Sequence, residues 1–173
     1  MKKAVLFLLW VVCVSGCVTN KNSVCRIEAE DMKYTIYEIE EKACYSGGKG
    51  LIIQKDPNAF KTGTAEYTFN GEDGVYTIEV TYVDEAEPLA PVDKRFANYA
   101  VEILRDGNSL ETDAWIANQQ LGDHTASKKT LTVRQISGVD LKSGDVIRVK
   151  GTATGGEHAE HARLDCIVLR SGQ

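Results

Sequence analysis

From Cys25 to Leu169 apolar and polar side chains alternate with a period of two residues, broken at short intervals by glycine-containing turns. In Val75 to Tyr82, Tyr76, Ile78, Val80 and Tyr82 share one face while Val75, Thr77, Glu79 and Thr81 share the other, the period of a half-buried strand. The pattern recurs in Cys25–Glu30, Tyr34–Glu38, Gly50–Gln54, Ala65–Phe69, Tyr99–Arg105, Lys128–Ile136, Val146–Lys150 and Arg163–Leu169. Turn signals separate these runs: Gly47-Gly48, Asn70-Gly71, Asp73-Gly74, Asp106-Gly107, Ser137-Gly138 and Ser143-Gly144. No window carries a helical stripe. Roughly eight or nine short strands in about 145 residues predict an all-β antiparallel sandwich, with a closed barrel as the alternative that periodicity leaves open.

The N-terminus follows other rules. Lys2 and Lys3 precede an apolar run, Ala4–Val14, that is shorter than the roughly 20 residues of a membrane span and has the layout of a secretory signal. Val14-Ser15-Gly16-Cys17 resembles the lipobox of bacterial lipoproteins, in which cleavage precedes a cysteine that carries diacylglycerol. That resemblance implies a signal peptide over 1–16, a lipidated Cys17 with a tether over 17–24, and a folded domain over 25–170. Acyl chains contribute about 0.8 kcal/mol per buried methylene, so such an N-terminus is held on a membrane. Val18 stands where Asp marks inner-membrane retention in some bacteria, which implies the outer membrane of the cell envelope.

Losing Lys2 and Lys3 leaves 18 basic against 25 acidic side chains, a mature charge of −7 that argues against a nucleic-acid or anionic-lipid partner. Three cysteines remain, Cys25, Cys44 and Cys166, enough for one disulfide whose pairing the sequence leaves open. The stretch Asp84–Ala97 lacks strand pattern and holds two of the chain's three prolines, so it is either a functional loop or a surface excursion.

Enzymatic motifs are scarce: there is no HExxH, no GxSxG and no glycine-rich phosphate loop. His158 and His161 lie in a doubled Glu-His-Ala with no third ligand nearby, which predicts a solvated loop in preference to zinc. The carboxylates are more informative. Glu28 and Glu30 alternate on one predicted strand and repel unless a cation neutralises them. First and last strands of sandwiches commonly pair, which would bring Asp165 to the same place and complete, with carbonyls of a glycine-rich loop, an oxygen cage of the kind calcium prefers.

Five blocks in order carry a family resemblance: Ile27-Glu28-Ala29-Glu30-Asp31, Tyr45-Ser46-Gly47-Gly48-Lys49-Gly50, Gly74-Val75-Tyr76-Thr77-Ile78, Leu141–Ile147 and Ala162–Ile167. Together they resemble carbohydrate-binding modules of families 6 and 35, jelly-roll sandwiches with a galactose-binding-domain-like fold; the last blocks are also similar to a sandwich at the end of some glucuronidases. The resemblance implies a structural calcium held by Glu28, Glu30 and Asp165 with main-chain oxygens of Ser46 and Lys49. It also implies sugar stacking on an aromatic ring, with Trp115 and Tyr45 as platforms and Asn118 as a supporting amide; Phe60 and Tyr99 are expected to pack instead. The function expected is a lipid-anchored, non-catalytic binder of a poly- or oligosaccharide. The alternative is an adaptor that keeps the sandwich and binds a protein partner through Asp84–Ala97. A glycosidase fits least, since its two carboxylates must face each other roughly 5 to 9.5 Å apart and the obvious trio is taken by calcium.

Overall fold

The computed structural model describes residues 24–85, 96–119, 125–155 and 159–172. The signal, the lipidated Cys17 and its tether, most of the Asp84–Ala97 stretch, His124 and His158 lie outside the described residues. Among the described residues eleven strands follow in order: β1 (Val24–Glu28), β2 (Lys33–Thr35), β3 (Glu38–Glu41), β4 (Lys49–Ile53), β5 (Lys61–Thr68), β6 (Gly74–Val83), β7 (Asn98–Arg105), β8 (Asn108–Ile116), β9 (Leu131–Leu141), β10 (Val146–Ala153) and β11 (Ala162–Ser171).

They form two antiparallel sheets. One runs β3-β4-β11-β6-β9, with β1 also paired to β11; the other runs β2-β5-β10-β7-β8. Each sheet keeps its own edges, so the domain is a sandwich and not a closed barrel. The core lies between them, where Leu51, Ile53, Ile78, Val80, Val101, Ile147, Val149, Leu164 and Ile167 are fully buried or nearly so. Each such side chain contributes about 1.5–3 kcal/mol by leaving water.

Three departures from simple alternation matter. The predicted strand Tyr34–Glu38 is split, because Ile36 and Tyr37 carry the chain from β2 in one sheet to β3 in the other. Ser137-Gly138 is not a turn but an extra residue inside β9: Tyr76 pairs Val139 while Ile78 pairs Ile136, and Gly138 takes φ 78° to absorb the bulge. The edge strand β8 had no clear signal, since Thr112 is likewise extra between Asp113 and Glu111 and breaks its alternation.

Candidate functional site

β11 holds the first element of the site. Its core-facing residues are Ala162 and Leu164, then Ile167 and Leu169, so the phase changes between them. The change comes from a bulge at Asp165, since Leu164 pairs Tyr82 while Cys166 pairs Thr81. On the other side of β11, β4 pairs only Ala162–Leu164 and β1 takes over from Cys166 to Arg170. Asp165 therefore stands at the gap between two successive partner strands.

The 3₁₀ turn Ser46–Gly48, which leads into β4, fills that gap. The Ser46 N–H donates to Asp165 Oδ1 at 2.8 Å, and Ser46 Oγ donates to Glu28 Oε1 at 2.8 Å. Glu28 ends β1 opposite Cys166, and Glu30 lies beyond it in a 3₁₀ turn, Ala29–Asp31, rather than on the strand. That corrects the shared-strand expectation, yet Glu30 still reaches the same turn: a Cβ on Gly47 would stand 3.7 Å from Glu30 Oε1. The first and last long strands pair as expected, and the three carboxylates meet around one turn.

The electrostatics are unfinished. Glu28 Oε2 and Glu30 Oε2 are buried without a hydrogen-bond partner. Burial, followed by the neighbouring charges of Glu28 and Glu30, pushes the Asp165 carboxyl above its ordinary range, against the pull of the Ser46 N–H and Arg26. Arg26 gives partial relief, with Nε 3.0 Å from Glu28 and Nη2 3.8 Å from Asp165. Two orphaned carboxylate oxygens beside a strained third carboxyl fit a hard cation. Among the described residues no three His, Cys, Asp or Glu side chains make a metal site on their own. The cage therefore needs the loop oxygens, of which the Ser46 carbonyl already accepts the Lys49 N–H. The Lys49 ammonium points elsewhere, 3.8 Å from Glu41. Cys44 and Cys166 are free thiols, so no pair among Cys25, Cys44 and Cys166 is bridged; burial pushes the Cys166 thiol up to about 11.

The aromatic candidates separate sharply. Tyr45 is 5% exposed, its ring packs where Gly50 leaves room, and its hydroxyl donates to Glu40 at 2.7 Å. It offers no face to a sugar, which corrects its assignment as a platform. Trp115 is half-buried on the edge strand β8, opposite Tyr99 and near β9; it packs against the core, and its indole Nε1 is buried. Tyr99 stacks on it at 5.6 Å and 19°, Tyr82 leans against it at 5.6 Å, and the Arg134 guanidinium stands 5.7 Å from its ring. Arg134 Nε donates to Asp113 at 2.7 Å, and the Thr132 hydroxyl donates to the Gln119 amide oxygen at 3.2 Å. Asn118 is exposed just beyond β8. Tyr99 packs as expected, whereas Phe60 is 62% exposed.

A buried charged cluster had no sequence signal. Arg163 on β11 pairs Glu40 of β3 at 2.8 Å and also Glu85. Asp84 and Glu85, which open the predicted loop, are buried, and Asp84 accepts the Gln119 N–H at 2.9 Å. The described part of the Glu-His-Ala repeat is not a solvated loop: Ala159 and Glu160 are buried, Glu160 accepts the Ala97 N–H, and His161 Nδ1 accepts the Lys55 N–H.

No protein-family model matches the sequence. The chain is 28% identical over 160 residues to an alpha-glucuronidase of Hypocrea jecorina, covering 86% of this chain and 16% of that protein. It is 31% identical over 152 residues to a probable alpha-glucuronidase A of Aspergillus niger, covering 83% of this chain and 16% of that protein. The chain thus spans about 16% of the length of the curated relatives it matches. Among solved structures it is similar to a family 35 carbohydrate-binding module from Clostridium thermocellum, with TM-score 0.50, 18% identity, and 85% and 98% of the two chains covered. A family 6 module from Clostridium stercorarium in complex with cellobiose gives TM-score 0.53, 12% identity, and coverage of 86% and 94%. A family 61 module in complex with β-1,4-galactotriose gives TM-score 0.52, 11% identity, and coverage of 86% and 88%. The fold is that of these modules, a galactose-binding-like β-sandwich.

Proposed function

We propose that the chain is a non-catalytic carbohydrate-binding protein, held at the bacterial cell envelope by lipid on Cys17 and stiffened by a structural calcium. The observation that carries the binding role is Trp115, a half-buried indole on the edge strand β8 with the Arg134 guanidinium, itself bonded to Asp113, over its ring and with exposed Asn118 three residues on. An apolar ring with polar groups around it is how proteins hold pyranoses. Tyr99 already covers one indole face, so a sugar approaches the side over which Arg134 lies, and Arg134 at 44% side-chain exposure has room to turn away. The similar modules crystallised with cellobiose and galactotriose, and the glucuronidase relatives, support β-linked oligosaccharides and glucuronate-bearing glycans as the ligands to try first.

The calcium reading rests on the orphaned oxygens of Glu28 and Glu30 beside Asp165. Those three side chains, with main-chain oxygens of Ser46 and Lys49, would hold the ion. Its charge would offset the repulsion and link β1, the Ser46–Gly48 turn and β11.

A glycan array and affinity electrophoresis on the mature protein test the function. Trp115→Ala is expected to weaken binding at least about tenfold while the circular dichroism spectrum is kept. Binding to no glycan, or binding indifferent to this substitution, would defeat the reading.

A further inference from the structure

Asn70, between β5 and β6, is the one asparagine of the chain that a glycine follows. The fold requires the glycine and not the asparagine. Phe69 turns its ring back over the next residue but one, so a Cβ on Gly71 would stand 2.5 Å from Phe69 Cζ, and the same buried ring packs edge-on against Tyr76 at 5.1 Å. A side chain at 71 would overpack this corner. Asn70 is exposed, and its side-chain amide bonds to nothing among the described residues. The backbone on either side is pinned. The Phe69 N–H donates to the Asp145 carbonyl and the Phe69 carbonyl accepts the Gly144 N–H, each at 2.8 Å, while the Glu72 carbonyl accepts the Tyr76 hydroxyl at 2.8 Å. Between these fixed points the Gly71 N–H has no acceptor among the described residues. The other described asparagines differ: the N–H after Asn58 donates to the Asp56 carbonyl at 3.4 Å, the one after Asn118 donates to Asp84 at 2.9 Å, and Asn98 and Asn108 stand in β7 and β8.

An unbonded backbone nitrogen beside an exposed side-chain amide, with no Cβ to shield it, is placed for ring closure, the reaction that makes asparagine thermolabile. We propose that Asn70 is a site of spontaneous modification, at which the folded protein converts its own side-chain amide to aspartate and isoaspartate through a cyclic imide with Gly71. The Gly71 nitrogen loses its proton to hydroxide and bonds to Asn70 Cγ; the Cγ–Nδ2 bond breaks, and ammonia leaves after taking a proton from water. A second water adds to the imide and opens it at either carbonyl. Both products place a new negative charge beside Glu72 and Asp73. Isoaspartate also threads one more carbon through a turn whose flanks are pinned, which loosens the Phe69–Tyr76 corner. Asp73 and Asp106 also precede glycines, but an ionised carboxylate is a poor electrophile, and Asp73 is held besides by the Ser143 N–H at 2.8 Å.

The test incubates the folded protein in mildly alkaline buffer beside a urea-unfolded sample. Peptides are mapped by mass spectrometry, and isoaspartate is counted by labelling with a protein carboxyl-methyltransferase. In the folded protein the peptide carrying Asn70 is expected to gain the acidic forms at least about tenfold faster than those carrying Asn58, Asn98, Asn108 or Asn118. Asn70→Gln, at an exposed position, should remove the label with the melting temperature unchanged. The isoaspartate form, separated by chromatography, should melt below Asn70→Asp, which carries the charge without the added carbon. The proposal is overturned if Asn70 persists in the folded protein while it reacts in urea, or if another of these asparagines reacts as fast. An isoaspartate form that melts together with Asn70→Asp overturns the loosening of the corner.

Discussion

Arg163 shows how much one side chain can hold without touching a ligand. It is 6% exposed on β11, and its Nε and Nη2 donate to Glu40 at 2.8 and 3.4 Å while it also pairs Glu85. Glu40 further accepts the Tyr45 hydroxyl. Burial works against its charge, but the bonds from Tyr45 and Arg163 hold its carboxyl below the ordinary range. Removing one partner of a buried ion pair strands the others, so Arg163→Ala should cost about 3 kcal/mol in urea unfolding. Combining Arg163→Met with Glu40→Gln and Glu85→Gln should restore most of that loss; no recovery would mean that packing, not charge, sets the cost. The sign with pH follows from the depressed Glu40 carboxyl. Its contribution is present above the unfolded carboxylate range and is lost as pH falls through the folded value, so the triple variant should show a flatter acid limb.

At the scale of elements, extra residues in strands decide which side chains face the core. Thr112 in β8, the Ser137-Gly138 pair in β9 and Asp165 in β11 each shift the phase of alternation. The bulge at Asp165 turns that carboxylate towards the gap between β4 and β1, where the Ser46–Gly48 turn meets it. In β9 the bulge needs a positive φ that only glycine adopts freely, so Gly138→Val should destabilise by about 1–2 kcal/mol. Chemical denaturation would check this, and an unchanged midpoint would show that β9 can pair without the bulge. Glycine marks both turns and bulges, which is why Ser137-Gly138 reads as a turn in the sequence.

For the molecule as a whole, the carboxylate site joins residues from both ends of the domain, and a cation there would act as a clamp. Calcium should raise the melting temperature of the protein, and a chelator should lower it; a ligand at a hundred times its dissociation constant contributes about 2.7 kcal/mol. Asp165→Asn should abolish the calcium-dependent difference. Identical melting curves with calcium and with chelator would remove the ion from the account.

Alternation and turn residues alone determined that the fold is all-β and antiparallel, since a period of two with one apolar face makes sheets; that two open sheets stack, instead of one closing into a barrel, was decided by the strand pairings. The sequence also marked Glu28, Glu30 and Asp165, whose carboxylates meet around the Ser46–Gly48 turn. Only the tertiary structure decided the rest. Tyr45 and Trp115 look alike as aromatic candidates, but one is enclosed beside Gly50 and the other stays half-buried on an edge strand. Arg163 meets Glu40 across 123 positions of sequence, and the bend at Ile36, φ 64°, fits only because Gly63 and Gly151 on two other strands leave room for Thr35 and Tyr37. Local pattern carries the direction of a side chain within its own strand; which neighbours cover it depends on pairings between distant segments.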